Sequence, residues 1–212
     1  MLDDKFRPLL PKFTGPLIKL LIKLKVTPNQ VTVLGFLLAC IASFLIGKDL
    51  MLFGLIVWWI SRLADGLDGM LARETNQKSF FGGYLDILLD MASYSIMIIG
   101  FASHYKDIAY VWNWILLGYV LCITSVLALS SIIEGFKNST QNNELQKIML
   151  SNNRTIQFTV GLAEATETNI MYTCFTLFPS YVLPLVYVWL FMLIFTVLQR
   201  TFLAWKLLRI QT

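Results

Sequence analysis

Six apolar runs, near residues 28–47, 50–73, 81–103, 110–135, 154–178 and 181–205, dominate the chain. Each is long enough to cross a hydrocarbon core of about 30 Å, which takes roughly 20 helical residues. With 57% hydrophobic and 14% charged residues among 212, the chain is far more apolar than a soluble domain of this size. The expectation is an all-α integral membrane protein with six transmembrane helices in one domain, residues 28–212. Turn and charge signals mark the breaks: Gly47-Lys48-Asp49, Glu74 to Ser79, His104 to Asp107, Lys137 to Asn153, and Pro179-Ser180.

Residues 1–27 read differently. Pro8, Pro11 and Pro16 argue against a cleavable signal, while Lys19 and Lys23 recur at helical spacing among Leu17, Ile18, Leu20, Leu21, Ile22 and Leu24. This pattern predicts an amphipathic helix on the cytoplasmic face, its lysines near anionic headgroups. Thr27-Pro28-Asn29 then supplies an N-cap and a proline at the first helical position. In a six-span arrangement the basic residues gather on one side, from Lys5 through Arg73, Lys78, Lys137 and Arg154 to Arg209, with Lys48 and Lys106 on the other. The positive-inside rule then places both termini in the cytoplasm, with a bacterial inner membrane as the expected setting. That topology accounts for the basic surplus and leaves nucleic-acid binding without support. Cys40, Cys122 and Cys174 each fall in an apolar run without metal or redox spacing and read as small core residues. His104, the single histidine, falls beside Lys106 and Asp107 and reads as a loop residue.

Against this background four carboxylates stand out. A carboxylate in a bilayer is costly, so an intramembrane cluster marks a functional site. Asp65 and Asp68 are three apart, Asp86 and Asp90 four apart, and each pair projects from one helical face. A short turn joins the two helices, so they run antiparallel. Asp65 and Asp90 then lie about 12 Å below the cytoplasmic helix ends, with Asp68 and Asp86 some 4–6 Å shallower. Four converging negative charges call for compensation. Two divalent cations would cancel them, and ligation by oxygen alone suits Mg²⁺ or Mn²⁺ together with substrate phosphates. A diphosphate-bearing substrate entering from the cytosol is the chemistry implied. Gly66, Gly69 and Ala72, with Gly82 and Gly83 opposite, lower the helix surface beside the acids, either for ligand approach or for close helix packing. Arg73 at the rim is placed to hold a phosphate or to act as a positive-inside anchor.

Read together, Asp65-x2-Asp68-Gly69-x2-Ala72-Arg73-x8-Gly82-x3-Asp86-x3-Asp90 resembles the complete motif of the CDP-alcohol phosphotransferase family. The resemblance extends to the six-span layout and to Thr27-Pro28-Asn29. It implies that an alcohol displaces CMP at the β-phosphate of a CDP-linked donor. By match to the motif, Asp65, Asp68, Asp86 and Asp90 would hold two divalent metals, Asp90 would also take the acceptor's proton, and Gly69, Ala72, Arg73 and Gly82 would meet the cytidine and diphosphate. A homodimer is implied as well.

A second polar stretch, Gly161 to Asn169, carries Glu164 and Glu167 on one helical face within the expected fifth span. These acids, with Arg62, are candidates for an acceptor pocket; a structural polar network or a dimer contact is the other reading. Similar stretches occur in a bacterial branch of the family to which the family name assigns no substrate. Because the membrane interior offers mainly acids besides Arg62, a neutral polyol or amino alcohol is favoured over a phosphorylated acceptor. CDP-diacylglycerol is the expected donor, with transfer from a soluble CDP-alcohol to a lipid acceptor as the alternative. A prenyltransferase would space its two acidic motifs far apart, a lipid-phosphate phosphatase would need histidines, and an ion-binding transporter would show paired halves. None of these patterns is present.

Overall fold

The computed structural model describes residues 10–139 and 165–209, and among these all regular structure is helical. In chain order the helices are α1 (Leu10–Lys23), α2 (Pro28–Gly47), α3 (Met51–Glu74), α4 (Phe80–His104), α5 (Ala109–Ser139), α6 (Ala165–Leu177) and α7 (Val182–Arg209). Short 3₁₀ turns at Lys106–Ile108 and Pro179–Tyr181 link α4 to α5 and α6 to α7. Four stretches are long and apolar enough to cross a membrane by length and composition: Pro28–Gly47, Phe80–His104, Lys106–Glu134 and Pro179–Lys206. The α3 helix spans 24 residues but carries Arg62, Asp65, Asp68, Arg73 and Glu74, which lower its hydropathy. Residues 154–164 of the expected fifth span lie outside the described residues.

Helix ends follow the local sequence. Thr27 has the extended backbone of an N-cap, its N–H donates to Gln30 Oε1 at 2.9 Å, and Pro28 opens α2. Ser79 caps α4 by accepting from the Gly82 N–H at 2.9 Å. Just beyond the C-termini of α1, α2 and α3, Lys25, Asp49 and Asn76 take positive φ values of 55°, 67° and 54°, the left-handed turn that commonly ends a helix. Pro16 sits inside α1 without ending it. His104 closes α4 rather than lying in a loop, its Nδ1 3.6 Å from Asp49 Oδ1.

The chain divides into two compact units. One comprises the described residues through Trp112 together with Tyr172–Val182. Here α2 is central, antiparallel to α3 and parallel to α4. Small residues permit the close approach that membrane helices use. A Cβ on Gly54 would lie 2.6 Å from Ile46 Cγ1 and 2.9 Å from the Ala42 carbonyl, and one on Gly100 would lie 2.6 Å from the Ser43 carbonyl. Ser43 donates to the Ile96 carbonyl at 2.5 Å, and Ser61 to the Gly35 carbonyl at 2.7 Å. At one end, Ile18 of α1 joins Val31 of α2 and Ala64, Leu67 and Leu71 of α3 in a buried cluster, with Lys19 and Lys23 exposed. Elsewhere Trp58, Tyr94, Phe101, Trp112, Tyr172 and Phe175 pack ring against ring, and the Tyr172 hydroxyl donates to the Tyr94 carbonyl at 2.8 Å.

The other unit holds the described residues within 113–171 and 183–212. Trp189 of α7 donates to the Tyr119 hydroxyl of α5 at 3.0 Å, Gly118 accommodates Leu193, and Arg200 donates to the Cys122 carbonyl at 3.0 Å. Cys122 is buried as expected, whereas Cys40 and Cys174 are only partly covered; all three are free thiols.

Candidate active site on helices α3 and α4

The turn at residues 75–79 reverses the chain, bringing the Asp65–Asp68 face of α3 to the Asp86–Asp90 face of α4. One carboxylate oxygen from each of Asp65, Asp68 and Asp86 lies within 4.8 Å of the others. Asp68 is buried, whereas Asp65 and Asp86 are partly open. Three carboxylates at this spacing, two of them partly open to the outside, form a donor set that fits a hard divalent cation such as Mg²⁺ or Mn²⁺.

The fourth acid is held differently. Asp90 Oδ1 accepts from Arg62 Nη1 in a partly buried ion pair, and the same nitrogen lies 3.8 Å from Asp65 Oδ2. Arg62 therefore sits between the three-carboxylate cluster and Asp90. Its side chain is only 7% exposed. The guanidinium carbon lies 4.4 Å from the Trp58 ring centroid and 5.1 Å from that of Tyr94, and Nη2 donates to Ser61 Oγ at 3.1 Å. Ring faces attract a cation, most strongly where water is excluded.

Two parts of this arrangement escape a motif reading. Thr32 of α2 donates to Asp68 Oδ2 at 2.5 Å, and its hydroxyl is also 3.1 Å from the Pro28 carbonyl. No spacing rule reveals that contact, since it depends on which residue of α2 faces Asp68. The aromatic seat was legible in principle: Trp58 is four residues before Arg62, and Tyr94 four after Asp90, so each shares a helix face with its charged partner.

The small residues divide by role. Among the described residues a Cβ on Gly66 or Gly83 would meet nothing within 4 Å, so neither glycine serves close packing between the described helices. Gly69 lies beside the Arg73 guanidinium, 3.5 Å from a would-be Cβ to Nη1. Gly82 is confined, with a Cβ there 3.0 Å from Ser79 Oγ and 3.1 Å from Asn29 Oδ1. Ala72 is partly exposed and Arg73 exposed on the same helix. Of the acceptor candidates, Arg62 is engaged by Asp65 and Asp90. Glu167 lies at the start of α6 with Oε2 buried, and Glu164 lies outside the described residues.

A helical chain with a carboxylate cluster on two adjoining helices is the setting in which the comparisons with known proteins fall. Residues 25–208 match the CDP-alcohol phosphatidyltransferase family, and the chain belongs to it. It is an integral membrane enzyme of phospholipid biosynthesis that transfers substituted phosphate groups. Among relatives, it is 29% identical to the inner membrane protein YnjF of Escherichia coli, over 85% of this chain and 84% of the relative. It is 26% identical to the archaetidylinositol phosphate synthase of Methanothermobacter thermautotrophicus, over 97% of this chain and 95% of that enzyme. The fold resembles that of the Mycobacterium tuberculosis phosphatidylinositol phosphate synthase solved with CDP-DAG bound, with a TM-score of 0.65, 21% identity, and coverage of 92% of this chain and 94% of that one. The same protein solved with manganese and citrate matches with a TM-score of 0.58, 20% identity, and coverage of 91% and 88%.

Proposed function

We propose that this protein transfers the phosphatidyl group of CDP-diacylglycerol to a small alcohol, releasing CMP. The observation that carries the reading is the convergence of Asp65, Asp68 and Asp86 within 4.8 Å, with Asp90 one helical turn beyond Asp86. The CDP-DAG complex of the mycobacterial relative supports a lipid donor, and its manganese complex supports a divalent metal.

In this reading the four aspartates hold two Mg²⁺ or Mn²⁺ ions. Such ions neutralise diphosphate charge and stabilise entering and leaving oxygens. Gly69, Ala72, Arg73 and Gly82 meet the CDP moiety: Gly69 leaves room beside the helix backbone, and the Arg73 fork binds phosphate oxygen. Asp90 takes the proton from the acceptor hydroxyl as its oxygen bonds to the β-phosphorus and the bond to the CMP oxygen breaks. Arg62 stands on the acceptor side, and Glu164 and Glu167 remain the sequence's other candidates for acceptor binding. The active enzyme comprises six spans in one domain of residues 28–212, with α1 at the interface, both termini cytoplasmic, the site open to the cytoplasm of a bacterial inner membrane, and two copies in a homodimer.

A neutral polyol or amino alcohol remains the first acceptor reading, because the site offers mainly acids besides Arg62. A phosphorylated polyol is the second reading, favoured by the inositol phosphate chemistry in the names of two relatives. The deciding experiment is CMP release by detergent-purified protein with Mg²⁺ or Mn²⁺. CDP-diacylglycerol is compared with CDP-choline and CDP-ethanolamine against inositol, inositol phosphate, glycerol 3-phosphate, serine, glycerol and lipid acceptors. Release that requires CDP-diacylglycerol and one soluble alcohol, and that is lost in Asp90→Asn, is expected. Release only from a soluble CDP-alcohol onto lipid would reverse the direction of transfer.

A further inference from the structure

Arg62 occupies the ground a second cation would need. Its Nη1 pairs with Asp90 and lies 3.8 Å from Asp65, a residue that also belongs to the three-carboxylate cluster. Asp65 is thus shared between a cluster suited to one divalent ion and a guanidinium suited to none. An ion drawing on Asp90 would stand beside that guanidinium, and two cations so close in an apolar helix pair repel one another strongly.

We propose that Arg62 is a built-in counter-cation. While no CDP donor is present, the protein binds one divalent ion through Asp65, Asp68 and Asp86, and the Asp90 side accepts a second only when Arg62 withdraws. The inference rests on the metal reading given under Proposed function and adds an order of binding to it.

The surroundings of Arg62 fit a side chain that is held firmly yet can be drawn away. Trp58 and Tyr94 present their rings to the guanidinium, and Ser61 accepts from Nη2, so the charge is stabilised within an apolar helix pair. One donor is left unmet: Nε is buried and has no hydrogen-bond partner among the described residues. A buried donor without a partner is a cost of this seat, and moving to a better set of acceptors relieves it. A diphosphate entering beside the acids brings planar-matched oxygens for the guanidinium fork and adds the negative charge that a second divalent ion offsets. The donor and the second ion would therefore arrive together.

The test counts Mn²⁺ ions bound to the detergent-purified full chain, by electron paramagnetic resonance and by calorimetric titration. One ion per chain is expected for the wild type and two for Arg62→Met, which removes the charge while keeping a similar stem. Arg62→Lys, which keeps the charge, is expected to bind one. A wild-type count of two without CDP overturns the proposal and leaves the metal reading intact. A count of one in a folded Arg62→Met does the same. A wild type that binds no Mn²⁺ overturns both. Should Arg62→Met fail to fold, the wild type alone decides: saturating CDP raises the count from one to two if Arg62 withdraws, and a count held at one overturns the proposal.

Discussion

The Thr32 hydroxyl on α2 donates to Asp68 Oδ2 on α3 at 2.5 Å, tying a helix outside the acidic motif to its most buried carboxylate. A hydrogen bond to a ligating carboxylate fixes its orientation, and losing such a partner typically costs about 10–100-fold in metal affinity or activity. Thr32→Val keeps the shape and removes the donor. The expected outcome is Mn²⁺ affinity reduced within that range and CMP release weakened in parallel, partly recovered at high Mn²⁺. Titration of Mn²⁺ against both proteins checks it, and unchanged affinity would assign the bond to folding alone.

Gly66 and Gly100 should respond in opposite ways to the same methyl group. At Gly100 a Cβ would lie 2.6 Å from the Ser43 carbonyl and 2.9 Å from Ser43 Cα, both backbone atoms. Overpacking of this kind costs about 1–3 kcal/mol. Gly100→Ala is therefore expected to lower the melting temperature in detergent, with little change in the specific activity of the folded fraction. At Gly66 a Cβ meets nothing within 4 Å among the described residues. Gly66→Ala is expected to keep or slightly raise the melting temperature, since alanine gains about 0.8–1.0 kcal/mol in a helix interior. If the donor lies along this surface, its KM rises. An unchanged KM in Gly66→Ala would remove that residue from the donor site.

Arg73 is exposed on the helix that carries the acids and lies beside Gly69. Arg73→Lys preserves the charge but loses the bidentate fork. Loss of one charge-assisted hydrogen bond, about 1.5–3 kcal/mol, corresponds to a rise of about ten- to hundredfold in donor KM. Steady-state kinetics with CDP-diacylglycerol in mixed micelles would measure it. A purely topological anchor would show no change, because lysine satisfies the positive-inside rule equally well.

Chelation should abolish CMP release, and either Mg²⁺ or Mn²⁺ should restore it. Asp86→Asn, which removes the one charged ligand that α4 gives to the three-carboxylate cluster, is expected to lose at least about 100-fold in activity, the upper part of the range for disturbing a metal site. Asp49→Asn, at the far end of α2 beside His104, is expected to retain full activity. Release that persists after chelation would leave the carboxylates with a structural role.

Hydropathy and spacing determined a good deal by themselves. Apolar runs, the Thr27-Pro28 cap and the turn residues marked α2, α3 and α4 to within one or two residues, because caps and turns act over a few positions of chain. The i,i+3 and i,i+4 spacings put Asp65 with Asp68 and Asp86 with Asp90, and the brief turn between the helices left only an antiparallel pairing. Tertiary structure decided how the charges are shared. Which face of α2 meets α3 fixes Thr32 on Asp68, and that register depends on Gly35 and Gly54 permitting close backbone approach. Likewise Arg62 reads in the sequence as a lone base inside the membrane. Only when Trp58, Tyr94, Asp65 and Asp90 surround it does it become the partner of the fourth carboxylate. Electrostatic pairing between helices is set by distances across an interface, and local spacing carries no record of them.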